Sequence, residues 1–183
     1  IFFGTITLVA EETEEDIAVA SYIESSELDA SPVDSISAEE FRNLRGSTVA
    51  ELSKYLSIAS GSHFQTNALD GIDQGMATIT LRGLGRSSTL VLVNKKRQTH
   101  SGTPSDEGEG YIDINIIPEI ALERIEILKD GATSLYGSDA IAGVINFQTY
   151  QQFDGTRFLL GSQKTSNYDQ RDNTLGVLFG GKF

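Results

Sequence analysis

Cysteine and tryptophan are absent from this 183-residue chain; methionine occurs once, histidine twice and proline three times. Without cysteine there is no disulfide, thiol nucleophile or thiolate metal site. His63 and His100 stand alone in glycine-spaced stretches; neither an H-E-x-x-H nor a G-x-S-x-G pattern occurs. Gly83-Leu84-Gly85 begins a dinucleotide fingerprint but lacks its third glycine. Asp106, Glu107 and Glu109 do not have the spacing of a calcium loop. The sequence therefore predicts no enzyme, no metal centre and no cofactor. No run of about 18 apolar residues exists, which excludes a membrane-spanning helix. A pI near 4.5 supplies no clustered positive field, so no nucleic-acid partner is expected.

Basic residues are missing from one long stretch. Eleven of the 26 acids and no lysine or arginine lie between Glu11 and Glu40, which leaves 15 acids against 14 bases elsewhere. The net charge of −12 thus belongs largely to an N-terminal segment. That segment reads either as a solvated leader or as a surface that meets a basic partner. Before it, IFFGTITLVA (Ile1 to Ala10) reads as the tail of a secretory signal or as a strand.

What is present argues for one folded domain, because 39% hydrophobic residues suffice for a core. Ser31 to Ile36 reads as a strand, followed by a capping box, Ser37-Ala38-Glu39-Glu40, opening a helix through about Leu44. Thr48-Val49-Ala50-Glu51 is a second box, with Val49, Leu52, Tyr55 and Leu56 forming an apolar stripe to about Ser57. Gly61 to Gly75 reads as a loop. Met76 to Arg82 alternates as a half-buried strand, whereas Leu90 to Val93 is apolar on both faces and reads as a central one. A second loop, Thr99 to Gly110, leads to an extended Tyr111–Ile117 and a helical turn at Glu119–Ala121. Leu122 to Leu128 alternates, with Arg124 and Glu126 on one face and Ile125 and Ile127 on the other. A short helix at Gly131–Leu135 and a strand at Ala142–Phe147 follow. Short strands mixed with short helices make an α+β domain with a small mixed sheet. Beyond Tyr150, Gly155–Gly161 and Thr174–Phe183 read as a hairpin around Gln163–Asn173.

Three stretches carry a resemblance: SPVDSISAEEFRNL (Ser31 to Leu44), ITLRGLGRSSTLVLVNKKR (Ile79 to Arg97) and INIIPEIALERIEILKDGATSLYGSDAIAGVINF (Ile114 to Phe147). In this order and spacing they closely resemble the plug domain of TonB-dependent outer-membrane transporters. The implied organisation is a signal remnant or strand at 1–10, an acidic leader at 11–30, a plug at 31–149 and a first barrel hairpin at 150–183. Asp16-Ile17-Ala18-Val19-Ala20-Ser21 resembles a degenerate TonB box, which would pair as an added strand with the TonB C-terminal domain. The small Ala18 and Ala20 depart from the bulkier residues usual there. The resemblance further implies that Arg82, Glu123, Arg124 and Glu126 face a barrel wall and lock the plug; pairing with one another inside the domain is the alternative. His63, Phe64, Gln65, Asn67, His100 and Ser101 would lie on ligand-facing loops. Gly83, Tyr136, Gly137 and Gly143 are structural, and Asn146 hydrogen-bonds backbone at a strand end. Members usually carry glycine where Lys95 stands, so either that turn differs or Lys96 and Arg97 have a role of their own.

The family implies a barrel of roughly 22 strands of about 10 residues each. Only 34 residues follow Thr149. The sequence is thus expected to be the N-terminal part of a transporter for a scarce nutrient (siderophore, cobalamin, saccharide or peptide), exported by a signal peptide to the outer membrane of a Gram-negative bacterium. The alternative is a short plug-bearing protein whose copies assemble by strand pairing.

Overall fold

Ser37 turns the first strand into the first helix. Its hydroxyl accepts the Glu40 amide at 3.1 Å, the N-cap bond that the S-x-x-E spacing predicts. The structure, a computed structural model, describes residues 33–43, 48–64, 75–105, 108–129, 133–164 and 171–181. Its strands and helices are β1 (Val33–Ser37), α1 (Ala38–Asn43), β2 (His63–Phe64), β3 (Ala77–Thr78), β4 (Thr89–Val93), β5 (Lys96–Arg97), β6 (Leu122–Leu128), α2 (Thr133–Tyr136), β7 (Gly143–Thr149), β8 (Gly155–Lys164) and β9 (Arg171–Gly180). Ile1–Ala10, the leader, the Asp16–Ser21 box, Gln65 and Asn67 all lie outside the described residues.

Five strands form one mixed sheet in the order β1-β6-β7-β4-β5, with β4 and β7 parallel and the other pairs antiparallel. On one face, Phe41 of α1 and Leu52 pack with Leu81, Ile125, Ile127, Ile145 and Phe147. On the other, Leu90, Leu92, Leu128, Ala140 and Val144 form a smaller cluster. The inner strands β4 and β7 are thus covered on both sides, which explains their near-continuous apolar sequence. β1, at the edge, has no fully buried side chain. Lys129 and Asp34 form an ion pair across the β1–β6 end of the sheet.

Several local expectations are corrected. The second box does not open an α-helix: Val49–Lys54 is a 3-10 helix, and the Thr48 side chain makes no cap hydrogen bond. The Glu51 amide instead bonds the Thr48 carbonyl at 3.0 Å. Met76 to Arg82 is not a half-buried strand. Residues 76–81 are buried on both faces, and only Ala77–Thr78 pairs, antiparallel to His63–Phe64. The alternation was misleading because side chains, rather than a ladder, satisfy this backbone. Asp113 Oδ1 takes the Ala77 amide at 3.0 Å, Ser62 Oγ the Thr80 amide at 2.9 Å and Thr89 Oγ1 the Leu81 amide at 2.9 Å. Tyr111–Ile117 is interrupted by a 3-10 turn at Ile114–Ile116, capped by Asp113. The turn at Glu119–Ala121 forms as expected. The β8–β9 hairpin is longer than expected, its pairing running from Gly155↔Gly180 to Lys164↔Arg171.

Glu119 sits half-buried on that turn. Desolvation raises its carboxyl above the ordinary value; Arg42 opposes the shift and Glu51 adds to it. Folding therefore favours the protonated acid: the stabilisation is full below the unfolded carboxyl pKa and disappears as pH rises through the raised one. Glu119→Gln is expected to raise the urea midpoint at pH 7 relative to that at pH 4. An unchanged difference between the two midpoints would count against this account.

Candidate functional site

The β6 pattern E-R-I-E-I directs Glu126 into the protein, where it is 0% exposed. An ionised carboxylate in such a place needs donors, and the facing strand supplies them. Asn146 Nδ2 donates to its Oε2 at 3.0 Å, and Gln148 Nε2 donates to its Oε1 at 2.9 Å. Arg124, two residues away on the same face, brings Nε to 3.3 Å of Oε1 and to 3.2 Å of Gln148 Oε1. The register Glu126↔Asn146 and Arg124↔Gln148 sets these four groups side by side. Of the four residues assigned to a lock, Arg124 and Glu126 thus meet each other within the domain. Glu123 lines a separate cleft with Arg42, Tyr150 and Arg157. Arg82 lies apart from both, its guanidinium donating to the Lys129 carbonyl.

Asn146 does hydrogen-bond backbone, but from mid-strand. Its Oδ1 accepts the Lys95 amide at 3.0 Å. Lys95 belongs to the two-residue turn joining β4 and β5, in which Asn94 has φ 51° and Lys95 φ 65°. Two left-handed residues between paired strands are the signature of a type I′ hairpin turn. The turn therefore keeps the backbone that glycine would favour, and Asn94 braces it by accepting the Thr149 amide at 2.9 Å. Arg97 has a contact of its own besides: it pairs with Asp139 at 2.8 Å and donates to the Tyr136 carbonyl, tying β5 to α2. Lys95→Gly is expected to stabilise the chain by about 0.5–1 kcal/mol, read as a higher urea midpoint at constant slope. A lower midpoint would show that the lysine side chain outweighs the strain.

The segment Arg82-Gly83-Leu84-Gly85 bends sharply, with φ of 58° at Arg82, 67° at Gly83 and 92° at Gly85. It is pinned by the Arg82 amide bonding the Ile58 carbonyl at 2.8 Å. The second loop reaches this bend, since Glu109 Oε2 accepts the Arg86 amide at 3.3 Å. The neck of that loop is closed by the Ser101 amide on the Tyr111 carbonyl at 2.8 Å, with the His100 ring seated against Gly110. Buried Ser105 organises its far side, its hydroxyl accepting the Glu109 amide at 3.2 Å. His63 and Phe64, expected on the first loop, form β2 at its start. Gly137, at φ 82°, lets α2 end, and Tyr136 packs against the smaller apolar cluster. Among the described residues no group of three or more metal-ligating side chains occurs.

The TonB-dependent Receptor Plug Domain family matches residues 27–144. The chain belongs to this family. The plug fold is shared with the siderophore receptor PirA of Acinetobacter baumannii, at a TM-score of 0.56 and 27% identity over 83% of this chain and 22% of that one. It is shared too with a mutant ferric enterobactin receptor PfeA of Pseudomonas aeruginosa, in complex with enterobactin, at 0.57 and 25% over 79% and 22%. The vitamin B12 transporter BtuB of Vibrio vulnificus is 30% identical over 142 residues, 70% of this chain and 22% of that protein. The iron-regulated outer membrane virulence protein of Vibrio cholerae is 46% identical over 81 residues, 42% of this chain and 12% of that protein. The plug chain thus spans about an eighth to a fifth of the length of these curated relatives.

Sequence reasoning missed Gln148 and Glu109 as partners within this plug. Gln148 was findable, because it lies one strand-period beyond Asn146 on the same face. Glu109 carried no signal, since its partner is a backbone amide in a distant bend.

Proposed function

We propose that the chain is the plug, with the first barrel hairpin, of a TonB-dependent transporter in the outer membrane of a Gram-negative bacterium. The observation that carries this reading is the two-faced hairpin. β8 and β9 are each 10 residues long, a length suited to a tilted membrane strand. Their outward residues Phe158, Leu160, Leu175, Val177 and Phe179 are 57–78% exposed, an apolar face that a soluble protein would not leave bare. The opposite residues include Arg157, Leu159, Thr174 and Gly176, half-buried on the plug side. Apolar out and mixed in is the alternation of an outer-membrane barrel.

In this reading, residues 1–10 supply an export signal or strand, the Asp16–Ser21 segment engages TonB, and the plug at 31–149 gates the pore. Arg82 and Glu123, with Arg124 where the Glu126 cluster leaves it donors, meet the barrel wall. His63, Phe64, Gln65, Asn67, His100 and Ser101 face the ligand. The names of the relatives favour a ferric siderophore or cobalamin as cargo. Cells lacking the gene are expected to lose energy-dependent uptake of a labelled ferric siderophore or of labelled cobalamin. Unchanged uptake of both, or uptake that survives deletion of TonB, overturns the reading.

A further inference from the structure

Arg42 closes the last turn of α1, and its Nη1 is buried with no hydrogen-bond partner among the described residues. Leaving a buried guanidinium N–H unmet is costly, more so than for a neutral donor. It borders a cleft lined also by Glu39, Glu123, Tyr150, Arg157 and Leu159. The other cation there is already occupied: Arg157 donates to the Tyr150 hydroxyl at 2.9 Å and lies 4.8 Å from the Tyr150 ring centre and 5.0 Å from that of Phe153. The Arg42 charge opposes the rise of the Glu119 carboxyl, but no ion pair joins the two.

The hairpin side of this cleft is made by Thr156 to Leu159 of β8 and by nothing from β9. β8 pairs with β9 alone, so its other edge is open among the described residues. A strand added to that edge would run across the mouth of the cleft. We propose that such a strand docks on β8 and presents an inward-facing carboxylate to Arg42, forming a tie between α1 and the barrel wall. A carboxylate is the occupant because it supplies the missing acceptor in the planar geometry that a guanidinium matches, which neither Glu39 nor Glu123 of the same cleft gives to Nη1. This inference rests on the reading that a barrel continues beyond the hairpin.

The test is a comparison of signs. In the 183-residue chain, Arg42→Met removes an uncompensated buried donor and is expected to raise the melting temperature. In the full receptor the same substitution breaks a formed pair, and protease cleavage of the plug is expected to quicken by at least about tenfold. There, exchanging the one partner acid on the strand beside β8 for its amide should quicken cleavage as much, and the double variant no further. A change of the same sign in both proteins overturns the tie, as does the absence of any acid whose exchange reproduces it. Should Arg42→Met fail to fold in either form, Arg42→Lys makes the same comparison with the charge kept and the fork lost; equal behaviour in the two proteins again overturns the tie. A gene that encodes no further strands would instead sink the transporter reading itself.

Discussion

Gly143→Ala is expected to cost the chain roughly 3 kcal/mol or more and to yield largely insoluble protein. Gly143 opens β7 at φ 140°, a backbone that side chains rarely adopt. Space is missing as well as conformation. A Cβ there would lie 2.8 Å from Leu81 Cδ1 and closer still to the Leu128 carbonyl. The Leu81 side chain could give a little; the Leu128 carbonyl belongs to the backbone of β6 and cannot. β7 is also the strand with central neighbours on both sides, so a shift at its first residue disturbs β4 and β6 together. Urea unfolding of the two proteins measures the difference. A loss of less than about 0.5 kcal/mol, the range of an ordinary surface change, would refute the argument from close approach.

Glu126→Ala should be comparably severe, at about 3–5 kcal/mol, because it strands the groups that the carboxylate serves. Asn146 and Gln148 would each lose an acceptor, and Arg124, with a side chain only 22% exposed, would lose its counter-charge. Glu126→Gln should cost less, since one amide oxygen still accepts, although its NH₂ then faces a donor. Glu126→Leu together with Arg124→Met, Asn146→Leu and Gln148→Leu removes the acceptor and all of its donors, at the loss of one acceptor for the Lys95 amide. That fourfold change is expected to be milder than the single alanine, and a costlier fourfold variant would show that the cluster contributes more than mutual satisfaction. Chemical denaturation of the four proteins at one pH gives the order.

The fold was legible wherever pattern and ladder agree. The continuous apolar run of β4, the alternation in β6 and the S-x-x-E box each specify one local structure, and each is found. Legibility failed at Met76–Arg82, where the same alternation occurs but Asp113, Ser62 and Thr89 satisfy the backbone. Those partners are remote in sequence, so no local pattern announces them. The second box failed for a related reason: Thr48 carries the right side chain, but the tighter 3-10 winding puts the bond on its carbonyl instead. At the site, the glycine-to-lysine departure at position 95 was visible, and its consequence was not. A strained turn can be kept when neighbouring side chains brace it, and Asn146 and Thr149 do so from another strand.

The order of strands in the sheet carries a consequence for how the chain acquires its shape. β1 is the earliest strand among the described residues, yet its partner there is β6, with Val33 opposite Leu128 and Ser37 opposite Arg124. β4 likewise waits for β7 before its long side is paired. A chain emerging N-terminus first therefore holds its earliest strands without neighbours until nearly the whole domain has been delivered. Distant pairings of this kind fold slowly, because a long loop must close before any contact repays it. Such a polypeptide remains threadable for most of its synthesis. The late arrival of β6 and β7 is thus a clock, delaying commitment to the native state until the last third of the domain is available.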